Sequence, residues 1–159
     1  MYLTKSITAI GLGAVMIATA GFAASHSEKA ANAAVKARQA QMQLIAYHTG
    51  ILGGMAKGET EYDAEMAKVA ASNLHAAAGL DPASLWLEGT EEGAVEGSRA
   101  KPEIWSDMDG FGKALENLRT TSAEMIDTAG TDLDALRAGM NGLGKACGAC
   151  HDDYRVPKD

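Results

Sequence analysis

The sequence predicts an all-α protein, an antiparallel four-helix bundle, and three observations support this prediction. Apolar residues recur at alternating steps of three and four in four separate stretches, and turn residues separate the stretches. The composition is 47% apolar but only 5% aromatic, with abundant alanine and methionine, which favours helices. A chain of 159 residues can form one core, and the shortage of aromatic side chains indicates that something else fills part of it.

The first two helices are predicted from their periodicity and their ends. Helix one runs from about Ser27 to Leu52 and stops at Gly53-Gly54, because glycine is common where helices end. Its inward positions are Val35, Arg38, Met42, Ile45, Thr49 and Leu52. Thr60 and Asp63 form a capping pair at the start of helix two. The inward positions of helix two are Tyr62, Met66, Val69, Asn73, Ala76 and Leu80.

A long connection over residues 81–101, interrupted by proline and glycine, precedes the last two helices. Pro102 opens helix three, where its missing N–H costs nothing. Helix three directs inward Trp105, Met108, Phe111, Leu115, Leu118 and Met125. Thr131 and Asp134 cap helix four, whose periodicity is the most regular of the four. Its inward residues are Leu133, Leu136, Met140, Leu143, Cys147, Cys150 and Tyr154.

The run Cys147-Gly148-Ala149-Cys150-His151, near the end of helix four, carries most of the chemical information in the chain. Each thiol can add to a vinyl group of haem to form a thioether, and the adjacent imidazole can bind the iron. Positions three and four apart share a helix face, so Cys147, Cys150 and His151 can all face one flat macrocycle. We therefore expect one covalently attached haem c inside the bundle.

Other interpretations of the cysteines require groups that the sequence lacks. A structural zinc site needs four ligands, but there are only two cysteines, and His26, His48 and His75 stand alone. A thioredoxin-like redox pair would begin a helix in a strand-rich unit. A plain disulfide would leave His151 unexplained. Haem attachment is the interpretation that uses all three residues of the motif.

The amino-terminal residues 1–24 predict export, ahead of a haem-binding bundle over residues 25–159. Lys5 precedes an uncharged run from Ser6 to Ser27, within which Gly21-Phe22-Ala23 is typical of a secretory cleavage site. The uncharged run of 22 residues is also long enough to remain as a membrane anchor, with Lys5 on the cytoplasmic side. Both alternatives place the bundle in the periplasm, an oxidising compartment suited to haem attachment.

The charge of the chain limits its partners. The formal net charge is −7 and the pI is about 5.0, which argues against nucleic-acid binding and against a basic membrane-binding patch. A charged partner would be basic at its docking face, although an acidic surface also simply keeps an exported domain in solution. The sequence shows no nucleophile, acid–base pair or second metal site, so we do not expect an enzyme.

The sixth coordination position of the iron is left open by the residues alone. Arg38 and Met42 lie four apart on the inward face of helix one. A haem propionate could pair with Arg38, and the thioether of Met42 could bind the iron. Taken singly, a methionine is more often a core filler, and an arginine more often extends to the edge of a bundle. His48 and His75 point away from the inward faces and are expected at the surface.

These features resemble the cytochrome c′ family over residues 30–155. The resemblance includes an exported four-helix bundle, Lys36-Ala37-Arg38-Gln39 in the first helix, and the Cys-x-x-Cys-His motif near the end of the last. Three further segments are similar to the family's haem-side loop, third-helix start and carboxyl end: Trp86-Leu87-Glu88-Gly89-Thr90-Glu91, Pro102-Glu103-Ile104-Trp105, and Gly144-Lys145-Ala146 with Tyr154-Arg155.

The resemblance implies further roles around the haem. Trp86 and Arg38 belong to the haem surroundings, and Arg155 pairs with a propionate or lies in water. In the family's high-spin branch the iron is five-coordinate and takes nitric oxide or carbon monoxide, whereas in its low-spin branch a methionine at the position of Met42 binds the iron. Met42 and the segment Leu52–Glu59 favour the low-spin branch. Some high-spin members also carry a methionine there that does not bind iron.

We therefore expect a periplasmic single-haem c-type cytochrome that transfers one electron at a time between redox proteins, with His151 and Met42 as axial ligands. A retained anchor would hold it near a membrane electron-transfer complex, such as a photosynthetic reaction centre or a cytochrome bc complex. The resemblance also allows a homodimer through the first two helices. The alternative function is a five-coordinate haem protein that binds or sequesters nitric oxide or carbon monoxide.

Overall fold

The computed structural model describes the backbone of residues 17–157 and the side chains of residues 27–157. Residues 1–16 of the predicted export segment, with Lys5, lie outside the described residues. So do the side chains around the expected cleavage site after Ala23. Among residues 17–157, no helix combines the length and the hydropathy that crossing a bilayer requires.

The all-α prediction is confirmed. Five helices occur in the described residues: α1 (Ile17–Lys57), α2 (Ala64–Ala78), α3 (Glu103–Ser106), α4 (Met108–Ala129) and α5 (Leu133–Tyr154). The described residues divide into two units, the helical segment up to Ala30 and the bundle from Ala31 onward. Within residues 17–157 the β-structure amounts to an isolated antiparallel bridge between Ala100 and Arg155.

Neighbouring long helices of the bundle are antiparallel. Residues near the end of one helix contact residues near the start of its neighbour. Hydrogen bonds that show this pairing are Gln41 Nε2 to Ala77 O (2.9 Å), Tyr62 Oη to Ala129 O (2.9 Å) and Tyr154 Oη to Asp107 Oδ2 (2.8 Å). The guanidinium of Arg137, at the start of α5, also donates to Ala56 O near the end of α1 (2.9 Å). The predicted up-and-down topology is therefore present.

Helix α1 is longer than predicted at both ends. It begins at Ile17 rather than near Ser27, and it continues through Gly53-Gly54 to Lys57. A β-carbon at Gly53 would lie 3.7 Å from the Met140 side chain, so the helix passes close to α5 there without strain. The helix ends where Gly58 adopts a positive φ of 77°, a conformation that glycine takes at little cost.

The caps of α2 and α5 lie at different residues from those predicted. Asp63, not Thr60, is the N-cap of α2, and its carboxylate accepts the backbone N–H three residues later at 2.8 Å. Asp132, rather than the Thr131 and Asp134 pair, caps α5 in the same way at 2.8 Å. In both cases an aspartate directly before the helix has the extended backbone that an N-cap requires.

The predicted third helix is two helices. Pro102 precedes α3 as expected, but α3 ends at Ser106 and α4 starts at Met108. Asp107 between them has φ −132° and ψ 59°, which is not helical, and its carboxylate accepts the Gly110 N–H at 3.0 Å. An internal N-cap at Asp107 therefore restarts the helix in a new direction.

Burial follows the predicted faces of α1 and α5 but not that of α2. The buried residues of α2 are Ala67, Ala70, Ala71, Leu74, Ala77 and Ala78. Met66, Val69 and Leu80, which were predicted to point inward, are 55%, 57% and 50% exposed. Small alanine side chains let α2 approach its neighbours closely, which explains why the alanine stripe is inside. On α4, Met108 is likewise exposed, while Phe111 and Met125 are buried as predicted.

The buried side chains form two clusters. The main cluster joins α1, α2, α4 and α5, and its largest members are Ile45, Leu52, Met55, Leu74, Met125, Leu136 and Leu143. The second cluster lies at the start of α4 and the end of α5, and it contains Ala100, Ile104, Phe111 and Tyr154, with Trp86, Trp105, Ala114, Leu115 and Cys150 packed against it. The haem motif therefore lies where the second cluster meets α5.

Replacing Gly139 by alanine should destabilise the bundle. The added methyl group would overlap the sulfur of Met125, which is buried, and lie 3.0 Å from Thr128 Oγ1. We expect a loss of about 1–3 kcal/mol in the free energy of unfolding, measured by urea titration. Gly142, one turn later, is exposed with no atom within 4 Å of a new β-carbon. Gly142→Ala should therefore be neutral or stabilising by up to about 1 kcal/mol. A Gly139→Ala variant as stable as Gly142→Ala would contradict the packing.

Candidate haem site

Cys147 and Cys150 lie on the last two turns of α5 and are half-buried. Cys147 packs against the main cluster and Cys150 against the second cluster. A group bonded to both sulfurs is therefore in contact with both parts of the core. Burial raises the pKa of both thiols, so neither is a ready thiolate nucleophile. This arrangement suits a covalent cofactor and does not suit a thiol–disulfide redox pair.

His151 follows directly and is also half-buried. Burial lowers its pKa, and the positive charges of Arg155 and Arg99 lower it further. The imidazole is therefore neutral at pH 7 and keeps the lone pair that binding to iron requires. In residues 27–157, no three His, Cys, Asp or Glu side chains converge in a way that could hold a metal ion.

Met42 is half-buried on α1 and packs against the main cluster, as Cys147 does. The thioether of Met42 and the first haem-attaching thiol therefore belong to the same part of the core, although 105 positions separate them in the chain. Sharing a cluster is compatible with a place for Met42 beside the motif, and its binding to iron stays a prediction.

Arg38 is buried, at 4% exposure, and does not extend to the edge of the bundle. Its Nη1 donates to Thr90 Oγ1 at 2.7 Å, and its Nη2 donates to Thr90 O and to Ser98 Oγ, the latter at 2.7 Å. Burial lowers the pKa of Arg38, and the nearby charge of Glu91 partly offsets this. A guanidinium carries more N–H groups than these three bonds use, so it can still donate to a propionate.

Trp86 connects Arg38 to the second cluster. The Arg38 Cζ lies 4.8 Å from the centre of the Trp86 ring, and Trp105 Nε1 donates to the Trp86 carbonyl at 3.1 Å. The Trp86 ring also makes an edge contact with Phe111, at 4.8 Å between ring centres. Trp86 and Cys150 pack against the same cluster, and the place of Trp86 beside the haem stays a prediction.

Arg155 is exposed, and its backbone N–H donates to His151 O at 3.1 Å. The chain around it pairs with the connection before α3. Lys101 N–H donates to Tyr154 O at 3.0 Å, and Val156 N–H donates to Arg99 O at 2.9 Å. These two backbone hydrogen bonds form an antiparallel clip that joins the carboxyl end to the connection. Pairing of the Arg155 side chain with a propionate stays a prediction.

Several residues of the site were missed in the sequence. Tyr154 was predicted to be inward, but its hydrogen bond to Asp107 was not, because Asp107 lies 47 residues away. Thr90 and Ser98 carried no local signal as partners of Arg38. Asp107 could have been found as an internal N-cap, since a glycine follows it three residues later.

The two remaining described histidines, which were predicted to lie at the surface, are partly exposed. His75 Nδ1 is 3.0 Å from Ser122 Oγ. The Ser122 hydroxyl donates to Arg119 O at 2.8 Å, so it accepts the hydrogen bond from His75. His48 makes an edge contact with the ring of Tyr47, at 5.1 Å between centres. The packing between α2 and α4 thus explains why His75 is covered.

A four-helix bundle that presents the Cys-x-x-Cys-His motif between two parts of its core is a haem-binding c-type cytochrome. The family model described as Cytochrome C′ matches residues 33–155. The chain belongs to the cytochrome c′ family, which binds one covalent haem c with its iron. Cys147 and Cys150 are the residues of this chain that match the attachment motif.

Known proteins similar to the chain support the same conclusion. It is 45% identical over 121 residues to cytochrome c-554 of Cereibacter sphaeroides, covering 76% of this chain and 91% of that protein. The structure of cytochrome c′ from Rhodobacter Spheriodes matches with a TM-score of 0.78 at 38% identity, over 80% of this chain and 98% of that one. A nitric oxide complex of a leucine-to-alanine mutant of cytochrome c prime from Alcaligenes xylosoxidans matches with a TM-score of 0.71 at 36% identity, over 80% and 97%.

The hydrogen bond between Tyr154 and Asp107 should make stability depend on pH at both extremes. The bond from Tyr154 and that from the Gly110 N–H lower the pKa of Asp107 below its ordinary 3.8. Its contribution to the free energy of unfolding is therefore present above pH 3.8 and lost as the pH falls through the lowered value. The same bond raises the pKa of Tyr154 from 10.0 to about 12. That contribution is present below pH 10.0 and lost as the pH rises through about 12.

We therefore expect wild type to have a larger free energy of unfolding than Tyr154→Phe between these two pH limits. The difference between the two proteins should become smaller below the lower limit and above the upper one. Urea titrations at a series of pH values measure it. Tyr62→Phe is the matched control, because the Tyr62 hydroxyl donates to a peptide carbonyl that does not titrate. The difference in free energy of unfolding between wild type and Tyr62→Phe should stay the same at acid pH. Equal acid profiles for the two variants would show that Asp107 does not stabilise through Tyr154.

Proposed function

We propose that this protein carries single electrons between redox proteins in the periplasm, with the haem iron bound by His151 and Met42. Family membership makes it a periplasmic single-haem c-type cytochrome, a haem electron carrier or ligand-binding protein of a generally non-enzymatic kind. The observation that carries the finer proposal is the packing of Met42 in the same cluster as Cys147. When bound, the haem supplies an iron that takes up or releases one electron.

The residues of the chain suit this use of the iron. A thioether ligand opposite an imidazole raises the reduction potential, and an iron with both axial positions filled reorganises little when its charge changes. Arg38 has N–H groups left to neutralise a propionate in a site where burial makes an unpaired charge costly. Trp86 packs against the same cluster as Cys150 and would limit the access of water to a bound haem. These features favour electron transfer over binding of a small substrate.

The alternative function is binding of nitric oxide or carbon monoxide at an open sixth position. A specific observation favours keeping it: one similar structure is a nitric oxide complex of a cytochrome c prime. Methionine is also flexible enough to fill the core at position 42 without binding iron. The two functions therefore differ in what the sulfur of Met42 contacts.

The absorption spectrum of the purified protein tests this difference. We expect a low-spin ferric spectrum with a weak sulfur-to-iron charge-transfer band, and slow uptake of carbon monoxide by the reduced protein. Met42→Ala should give a high-spin spectrum and fast uptake of carbon monoxide, because it removes the thioether. Met140→Ala, which removes another half-buried methionine packed against the main cluster, should leave the spectrum unchanged. A high-spin wild type would leave the gas-binding function, and a Met42→Ala spectrum identical to a low-spin wild type would remove Met42 from the site.

We also propose that two copies of the chain pair through α1 and α2. These helices are neighbours, and their outer faces expose Leu44, Tyr47, Met66, Val69 and Leu80, each at least 50% exposed. Exposed apolar side chains on neighbouring helices can form an interaction surface, and a twofold axis would bury the same residues on both copies.

Sedimentation of the wild type should therefore show a dimer. A variant with Leu44→Glu and Val69→Glu should sediment as a monomer, because each copy would bury two charges at the interface. Met108→Glu is the control, since Met108 is equally exposed but lies at the start of α4. A monomeric wild type, or a dimer that survives the double substitution, would contradict this interface.

The redox partners are proposed from charge and location. The net charge of −7 suits a partner that is basic where it docks, and a membrane electron-transfer complex such as a reaction centre or a cytochrome bc complex would offer such a face. Cleavage after Ala23 would give a free carrier, and a retained segment over residues 6–27 would give one held at the membrane. The intact mass of the purified protein distinguishes the two forms.

A further inference from the structure

Three aromatic rings contact in series near the haem motif. Trp86 and Phe111 make an edge contact at 4.8 Å between ring centres, and Phe111 and Tyr154 make another at 5.3 Å. All three rings belong to or pack against the second cluster, and so does Cys150. Tyr154 also follows Cys150 by one helical turn. A series of rings in van der Waals contact therefore reaches from Trp86 to the phenol that lies one turn after the attachment motif.

The phenol of Tyr154 has a partner that differs from those of the other described tyrosines. Its Oη donates to Asp107 Oδ2 at 2.8 Å, and Asp107 is exposed to solvent. The Tyr62 hydroxyl instead donates to the carbonyl of Ala129, and Tyr47 is 65% exposed. A carboxylate can accept a proton at neutral pH, whereas a peptide carbonyl cannot. Tyr154 is therefore the described tyrosine with a proton acceptor already in place.

The charge beside Trp86 decides where an oxidised ring is most stable. The guanidinium of Arg38 lies 4.8 Å from the Trp86 ring centre in a buried setting. It attracts the neutral ring but repels a radical cation formed on it. Tyr154 remains neutral on oxidation because its proton leaves. The electron vacancy is therefore more stable on Tyr154 than on Trp86.

We propose that Tyr154 is a one-electron donor that protects the haem site from peroxide-derived oxidants. The phenol gives one electron to the oxidant and its O–H proton to Asp107 Oδ2, which leaves a neutral phenoxyl radical and a protonated carboxyl. The oxidant is reduced by one electron, and the exposed Asp107 then exchanges its proton with water. The raised pKa of Tyr154 keeps the phenol protonated until it is oxidised.

The experiment adds hydrogen peroxide to the holoprotein and freezes samples for electron paramagnetic resonance. Wild type should give a tyrosyl signal that narrows when the tyrosine rings are deuterated. Tyr154→Phe should lose the signal, and Tyr62→Phe, the matched control, should keep it. Asp107→Asn keeps an N-cap but removes the base, so the yield should fall about tenfold or more. Trapping with a nitroso compound, followed by peptide mass spectrometry, should place the wild-type adduct on Tyr154.

An absent tyrosyl signal in wild type, an undiminished signal in Tyr154→Phe, or an adduct on another tyrosine would overturn the proposal. An unchanged yield in Asp107→Asn would overturn the part played by that carboxylate. If Tyr154→Phe fails to fold, the adduct site in wild type still decides. The inference needs the covalent haem and not the ligation by Met42. An absorption spectrum of the same samples, taken before peroxide is added, tests ligation by Met42 separately.

Discussion

Cys147 and Cys150 contact two different clusters of the core although only two residues separate them in the chain. A macrocycle bonded to both sulfurs is shared by the two clusters, and its apolar faces take the place of side chains that the sequence does not contain. This gives a physical reason for a composition with only 5% aromatic residues in a chain that is 47% apolar. Among the described residues, Phe111 contacts both Trp86 and Tyr154 in the cluster against which Cys150 packs.

The burial of Arg38 places a second constraint on the same region. Removing a guanidinium from water is costly. Thr90 and Ser98, which lie in the long connection, offset that cost by accepting hydrogen bonds from Arg38. The bonds tie the connection to α1, which in turn places the Trp86 ring against Arg38. Met42 lies one turn farther along α1. One face of one helix therefore positions both the loop beside the haem and the candidate sixth ligand.

The sequence predicts the buried face of a helix correctly where the helix has one apolar stripe. It does not where the helix has two. In α5 the bulky residues and the haem motif share a single stripe, so periodicity alone identifies the inward face. Helix α2 has a bulky stripe through Met66 and Val69 and an alanine stripe through Ala67 and Ala71. Periodicity cannot choose between two stripes of the same period, whereas close packing selects the smaller side chains. The partners of Arg38 lie 52 and 60 residues away, beyond the reach of any local pattern.

The two sides of the haem site differ in how firmly they are held. On the α5 side, Tyr154 bonds to Asp107, and backbone hydrogen bonds join Tyr154 to Lys101 and Val156 to Arg99. His151 therefore belongs to a helix end fixed by the core before it and by the clip after it, which limits its movement when the iron changes charge. On the α1 side, Met42 is a flexible side chain packed at the edge of the main cluster. In the proposed site, an incoming gas molecule would displace the Met42 thioether more easily than it would move α5, so α1 would decide between the electron-carrier and gas-binding functions.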